Sequence, residues 1–412
     1  MKNSLDRSAL FYGSCFALIT TGFTFSIRAG ILPQLGAEFG LTAEQLGFIN
    51  SMWFLGFPIS MVIGGMVYHS FGPKNIMTVA FIAHTLGILL TIYAGGYSIL
   101  LLSTLLIGIG NGCTEAACNP MIADMYSGVK MNKMLNRFHM WFPGGILLGA
   151  LISKFMTDIG LSWEVQMWFI MVPAITYAAL FFRKIFPKPK VEEATSLLSN
   201  FKAMLTPLYL FLIACMALTA ITEFGPSQWV KIILGSSGAD PMLILALTAG
   251  LVAVLRFFAG PVVGRLGQTG VLLGGAIFAA IGIYMFSIVT GPMAYVAAIV
   301  YALGYAYFWP VMVGAVAQRV PLSSALGMSI IGAVGMFSSS IFQPIIGSWI
   351  DGSMARYAQQ GLSGNELQLA AGQETLEKMV SFPVILIILF TILIFWQRNS
   401  NKTSSEFNGS QG

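Results

Sequence analysis

The stretch GNGCTEAACNPMIADMY, residues 110–126, sits inside a long apolar run and yet carries Asn111, Glu115 and Asn119. In an α-helix the spacing i, i+4, i+8 puts all three on one face. An ionised group in hydrocarbon costs about 3 kcal/mol or more by the lower scales, so such groups tend to be functional and to face a water-filled cavity. The rest of the chain shows that hydrocarbon is its solvent. Its 412 residues are 56% hydrophobic and only 9% charged, with a mean hydropathy of +0.80. A soluble protein of this length needs roughly 25% charged residues. Apolar runs of about 20 residues, each long enough to span a bilayer as a helix, recur from end to end.

The expected fold is therefore an all-α membrane protein of twelve transmembrane helices in two six-helix bundles. The spans fall near 8–34, 45–68, 75–95, 97–126, 138–157, 163–183, 206–233, 241–264, 270–290, 292–318, 323–350 and 379–397. This divides the chain into an N-terminal bundle (1–185), a cytoplasmic linker (186–205), a C-terminal bundle (206–398) and a disordered polar tail (399–412). The stretch 351–378, DGSMARYAQQGLSGNELQLAAGQETLEK, is read as a second soluble segment. The first apolar run follows Lys2 and Arg7 without a small-residue cleavage site, so it is read as a span and not as a removable signal.

Lys and Arg placement sets the orientation. With the N-terminus in the cytoplasm, that side holds fifteen of the 21 basic residues, and the other side holds Lys154, Lys231, Arg356 and Lys378. Arg28 and Arg256 lie within spans. Both termini are expected in the cytoplasm, with a bacterial inner membrane as the location. The net charge of +5 is spread over loops, so topology explains it and no nucleic acid partner is expected. Cys15, Cys113, Cys118 and Cys215 fall in apolar segments without metal-ligand spacing and read as small packers. The lipid bilayer and a small solute are the expected partners, and a monomer the expected state.

A shift of 195 residues overlays the two halves. RAGILPQL (28–35) falls on EFGPSQWV (223–230), aligning Gly30 with Gly225. GGMVYHSFG (64–72) falls on AGPVVGRLG (259–267), aligning Gly65 with Gly260 and Gly72 with Gly267. An even number of helices separates the copies, which makes this a parallel repeat with a solute site between the halves near the midplane. GMVYHSFGPK (65–74) also resembles the G-x-x-x-D-R/K-x-G-R/K signature of the major facilitator superfamily. Gly65, Gly72 and Lys74 fit it, while His69 and Ser70 stand in its acidic and basic positions.

TEAACNP (114–120) and LNRFHMWFPGG (135–145) resemble the helix-4 and helix-5 segments of the fucose–galactose–glucose:proton symporter family. That resemblance implies proton-coupled sugar transport, with Glu115 as the proton-linked carboxylate and His139 at a position that contributes to the sugar site. On helix 1 the family carries an essential Asp where this chain has Ala29, with Arg28 beside it. From the residues alone, Arg28 either snorkels to the outer interface or faces the cavity, pairing with an acid or binding an anionic solute. Its repeat partner Glu223 invites a pair across the halves that closes the outer gate. Arg256 either neutralises Glu223 or binds solute. His139 either hydrogen-bonds a sugar hydroxyl, relays protons or merely packs. His84, alone on helix 3, carries less weight.

Sugar faces stack on rings, so aromatic residues complete the expected site. Tyr301, Tyr305 and Trp309 form an i, i+4, i+8 stripe on helix 10, expected to face the helix-4 stripe, with Trp229 on helix 7 nearby. Ser338, Ser339, Ser340 and Gln343 on helix 11 suggest tight packing or a polar lining. The sequence has no phosphate loop, so ATP-driven transport is not expected, and it shows no catalytic constellation or metal cluster. The expectation is a secondary active transporter, not an enzyme, that carries a sugar or sugar-like solute. It needs no cofactor, and H+ is favoured over Na+ as coupling ion. The alternative is a symporter of sugar acids or other organic anions that uses Arg28 or Arg256.

Overall fold

The computed structural model describes residues 5–188 and 202–409, with side chains described except at 128, 129, 132, 321, 324, 325 and from 397 onward. Most of the expected linker, 189–201, lies outside the described residues. The first half holds α1 (Arg7–Phe39), α2 (Ala43–Phe71), α3 (Pro73–Ile92), α4 (Tyr97–Met125), α5 (Gly128–His139), α6 (Trp141–Asp158) and α7 (Trp163–Phe181). The second holds α8 (Pro207–Ile233), α9 (Pro241–Phe257), α10 (Ala259–Ile288), α11 (Met293–Tyr305), α12 (Phe308–Arg319), α13 (Ser324–Gln359), α14 (Gly364–Met379) and α15 (Ser381–Gly409). No strand occurs among the described residues.

Among the described residues eleven helical segments are long and apolar enough to cross a bilayer, and the 17-residue α9 adds a twelfth. It continues past a kink at Phe258 to Gly267, where φ 68° and ψ 163° end the span inside α10. Gly72, 195 residues earlier, has φ 80° and ψ 152° between α2 and α3. A positive φ is cheap only for glycine. The repeat is thus visible in the backbone at the pair of glycines that first indicated it.

Local chemistry sets several helix ends. The Asp6 carboxylate accepts from the Ala9 N–H at 3.0 Å and caps α1. Thr42 and Gln45 form a reciprocal capping box at the start of α2. Asp240 caps α9, accepting from the Met242 and Leu243 N–H groups at 2.9 and 3.1 Å.

One expectation is made more specific and another is corrected. The segment 351–378 is helical: α13 runs on to Gln359 and α14 begins at Gly364. At 36 residues α13 is roughly 54 Å long, well beyond the roughly 30 Å hydrocarbon core. Beyond it, Glu374 pairs with Arg356 and with Lys378, so charges that look soluble in sequence hold a helical hairpin. The last helix likewise extends to Gly409, through the stretch expected to be a disordered tail. Nucleating a helix is the costly step, and an apolar span that has already paid it can propagate into polar sequence.

The halves pack α2 on α13, α6 on α9 and α1 on α8. The contacts between them gather toward the face opposite the termini. Ser340 donates to the Ser51 carbonyl at 2.8 Å, and Lys154 pairs with Asp240 at 2.8 Å. Backbones meet closely there: a Cβ on Gly347 would lie 2.2 Å from the Ala43 carbonyl oxygen, and one on Gly47 2.5 Å from that of Gln343.

Candidate functional site

A small cavity lies between the halves. α1 contributes Phe25, α6 contributes Phe142, Pro143 and Ile146, α8 contributes Glu223, Phe224 and Ser227, and α9 and α11 contribute Arg256 and Tyr305. Phe25 is its hub, edge-on to Phe142 at 6.2 Å and to Phe224 at 5.7 Å, so one aromatic wall is shared by both halves. Gln228 donates to the Phe25 carbonyl at 3.2 Å and fixes α8 against α1.

Glu223 is nearly buried and accepts from Arg256 Nη2 at 3.2 Å. Arg256 Nε donates to the Ala306 carbonyl at 2.8 Å. Tyr301 Oη donates to the Thr222 and Glu223 carbonyls at 2.8 and 2.9 Å. Tyr301 and Tyr305 lie against each other, with ring centroids 4.6 Å apart.

Arg28 is 2% exposed and donates to Asn50 Oδ1 at 2.9 Å. The expected Arg28–Glu223 pair is not made, and Glu223 takes Arg256 instead. The reason is axial. Gln228 lies level with Phe25, so Glu223 is five residues to one side of that level and Arg28 three to the other, roughly 12 Å apart along nearly parallel helices. Among the described residues no carboxylate pairs with Arg28. Asn50 was not singled out in the sequence, although an amide within an apolar span was the signal for it.

The helix-4 stripe divides. Glu115 and Asn119 are half-buried, and Asn119 Nδ2 donates to Glu115 Oε2 at 2.5 Å. Asn111 is fully buried and turns into the first bundle, donating to Thr24 at 3.2 Å and meeting His84 Nε2 at 2.9 Å. Each step of four residues rotates roughly 40° around the helix, which turns Asn111 some 80° from Asn119. His84 Nδ1 lies 3.0 Å from Tyr177 Oη, so the histidine given less weight joins α3, α4 and α7.

The helix-10 stripe also divides, because its helix is broken between Tyr305 and Phe308. Tyr301 turns to the α8 backbone and Tyr305 to the cavity, while Trp309, beyond the break, stands edge-on to Phe224 at 6.1 Å. The stripe faces α8 and not α4. Trp229 is fully buried, with its indole N–H unpartnered. His139 ends α5, is exposed, and is not among the residues that line the cavity.

The twelve spans, the parallel repeat and the site between the halves define a two-bundle membrane protein. The profile of the Major Facilitator Superfamily matches residues 14–344, and the chain belongs to that superfamily. Its members are transporters and not enzymes, and the chain is an integral membrane protein. A hexuronate transporter of Bacillus subtilis (strain 168) is 27% identical over 198 residues, which are 47% of this chain and 42% of that protein. A galactose-proton symporter of Escherichia coli (strain K12) is 23% identical over 178 residues, 42% of this chain and 38% of that protein. The chain thus aligns with less than half the length of either relative. The crystal structure of a D-xylose-proton symporter matches with a TM-score of 0.72 at 15% identity, covering 90% of this chain and 96% of that one. That likeness shows the fold alone.

Proposed function

We propose that the protein is a secondary active transporter that carries a small sugar acid, or a similarly compact organic anion, together with a proton by alternating access. Arg28 carries this reading. A guanidinium stays charged, and burying one without a counter-charge costs several kcal/mol. Asn50 offers it only a neutral oxygen, and Asn50 Nδ2 is itself buried without a partner. The pair therefore has donors in excess, and a carboxylate is their complement, since it accepts the two parallel bonds of an arginine fork. Phe25, three residues before Arg28 and on the same helical face, lines the cavity from which such a solute would come. The likeness to a hexuronate transporter supports a sugar acid.

The contacts that close the face opposite the termini fit one end of an alternating-access cycle. By the distribution of basic residues, the closed face is the external one. Moving an anion against an inside-negative potential calls for a cation, and Glu115, whose Oε2 accepts from the Asn119 amide within the apolar span, is the carboxyl assigned to carry it.

A neutral sugar is the second reading, favoured by the aromatic wall of Phe25, Phe142 and Phe224 and by the galactose-proton symporter relative. Proteoliposomes loaded with a pH-sensitive dye separate the two, because they report proton entry even when proton and anion charges cancel. Sugar acids are expected to acidify the lumen and neutral hexoses not, with the signal lost in Arg28→Gln. Acidification by a neutral hexose that disappears in Glu115→Gln would establish neutral-sugar symport instead. Solute uptake that needs sodium and carries no proton would replace the coupling ion.

A further inference from the structure

Two neighbouring helices at the cavity are broken at the same level. α9 ends at Phe257 and α10 begins at Ala259, across Phe258 at φ −98° and ψ 17°. α11 ends at Tyr305 and α12 begins at Phe308. In a continuous helix the Ala306 carbonyl would accept from the N–H of residue 310, but that residue is Pro310 and has none. Arg256 Nε fills this vacancy at 2.8 Å. In return Tyr307 Oη donates to the Leu255 carbonyl in the last turn of α9, at 3.0 Å. Each break lends a side chain to a carbonyl of the other. Arg256 does this while its Nη2 holds Glu223, a double task that suits a planar fork of five donors.

We propose that Glu223 and Arg256 form a charge-operated hinge: ionised Glu223 keeps Arg256 in the vacancy at Ala306, and a proton on Glu223 releases it so that the two breaks flex together. The ionisable side chains around Glu223 are Arg256 from α9 and Tyr301 and Tyr305 from α11, while α1 and α6 face the same cavity with Phe25, Phe142 and Ile146. Among the described residues no second acid pairs with Arg256. A neutral Glu223 therefore leaves the guanidinium without a counter-charge in a medium of low dielectric. The Arg256 side chain is already 24% exposed, which gives it a route to cavity water. The proton comes from that water and returns to it, and no other group changes its protonation.

The consequence for transport rests on the transporter reading above. α9 packs across the halves on α6 and at its far end bears Asp240, which pairs with Lys154. A hinge in α9 therefore ties the charge of the cavity to the closure of the opposite face. Arg256 is a positioning residue in this scheme.

Hydrogen–deuterium exchange of the full chain in nanodiscs, without any solute, tests the hinge separately from transport. Glu223→Gln is expected to speed exchange in residues 254–260 and 303–311 together by about tenfold, through local opening. Acidifying the unmodified protein should reproduce the rise, and acid should add nothing further in the variant. Arg256→Lys, whose compact ammonium cannot reach both acceptors, should behave like Glu223→Gln. Pro310→Ala restores a helical donor to Ala306 and should slow exchange in 303–311 again when combined with Glu223→Gln. Unchanged exchange in Glu223→Gln, a rise in one segment alone, or no rescue by Pro310→Ala overturns the hinge. A normal exchange response without solute-driven acidification of liposomes leaves the hinge standing and removes the proton-coupled transport reading alone.

Discussion

Asp351 in one half caps a helix that belongs to the other: its carboxylate accepts from the Ala43 N–H at 2.9 Å and the Glu44 N–H at 2.8 Å. With Thr42 Oγ1 accepting from the Gln45 N–H and Gln45 Oε1 from the Thr42 N–H, every unpaired donor at the start of α2 is satisfied. Two of the four are satisfied across the interface between the halves. The negative charge also complements the positive end of the helix dipole.

Replacing Asp351 by Asn removes the charge and one of the two acceptors. The expected loss is about 1 kcal/mol of closure, or roughly a fivefold shift toward the state open at that face. Distances between spin labels on the exposed ends of α2 and α13 measure it, and an unchanged distribution would mean that the cap does not hold the gate.

Gly347 offers a steric test of the same seam. A Cβ there would lie 2.2 Å from the Ala43 carbonyl oxygen, a backbone atom that cannot rotate away. Gly347→Ala should force α2 and α13 apart at a cost of about 1–3 kcal/mol. The same spin-label pair should lengthen even with Asp351 intact.

The Lys154–Asp240 link adds an acid-sensitive component. Burial alone would raise the Asp240 carboxyl, but the Lys154 ammonium and the Leu243 and Met242 N–H groups outweigh it and hold the carboxyl below its usual value of 3.8. A depressed carboxyl favours closure while it is ionised. Its contribution is complete above about pH 5 and is lost as pH falls through the depressed value. Closure followed by spin-label distances should therefore weaken in strong acid, and Asp240→Asn should remove that acid-dependent change.

His84 is a structural tie by geometry. His84→Ala leaves Asn111 Oδ1 and Tyr177 Oη without their imidazole partner and opens a cavity in a site with no exposure. The cost is about 3 kcal/mol, from the lost contacts and the unsatisfied groups. Thermal denaturation in detergent should begin several degrees lower, and His84→Asn should recover part of the loss.

Much of the fold is legible in the sequence because spans, caps and punctuating glycines are local. Gly72 and Gly267 match at an offset of 195 and adopt one backbone conformation. Glu223, Arg256 and Tyr305 could be singled out as polar or aromatic residues in spans, and the structure brings all three to one cavity. Their partners could not be read in the same way. Arg28 points to Glu223 by pseudosymmetry and finds Asn50, while Asn111 shares a nominal face with Glu115 and turns to His84.

By itself the sequence determined that this chain crosses a membrane twelve times as two parallel copies of one bundle. Hydropathy over about 20 residues and a glycine at positive φ are properties of a segment and need no neighbour. Only the tertiary structure decided which charge meets which, because that depends on how far one helix slides past another. A slide of one turn, roughly 5.4 Å, exceeds the reach of a hydrogen bond and exchanges one partner for the next. The slide that sets Gln228 against the Phe25 carbonyl gives Glu223 to Arg256 and leaves Arg28 with an amide. Side-chain packing across the two halves sets it, and no single segment carries that information.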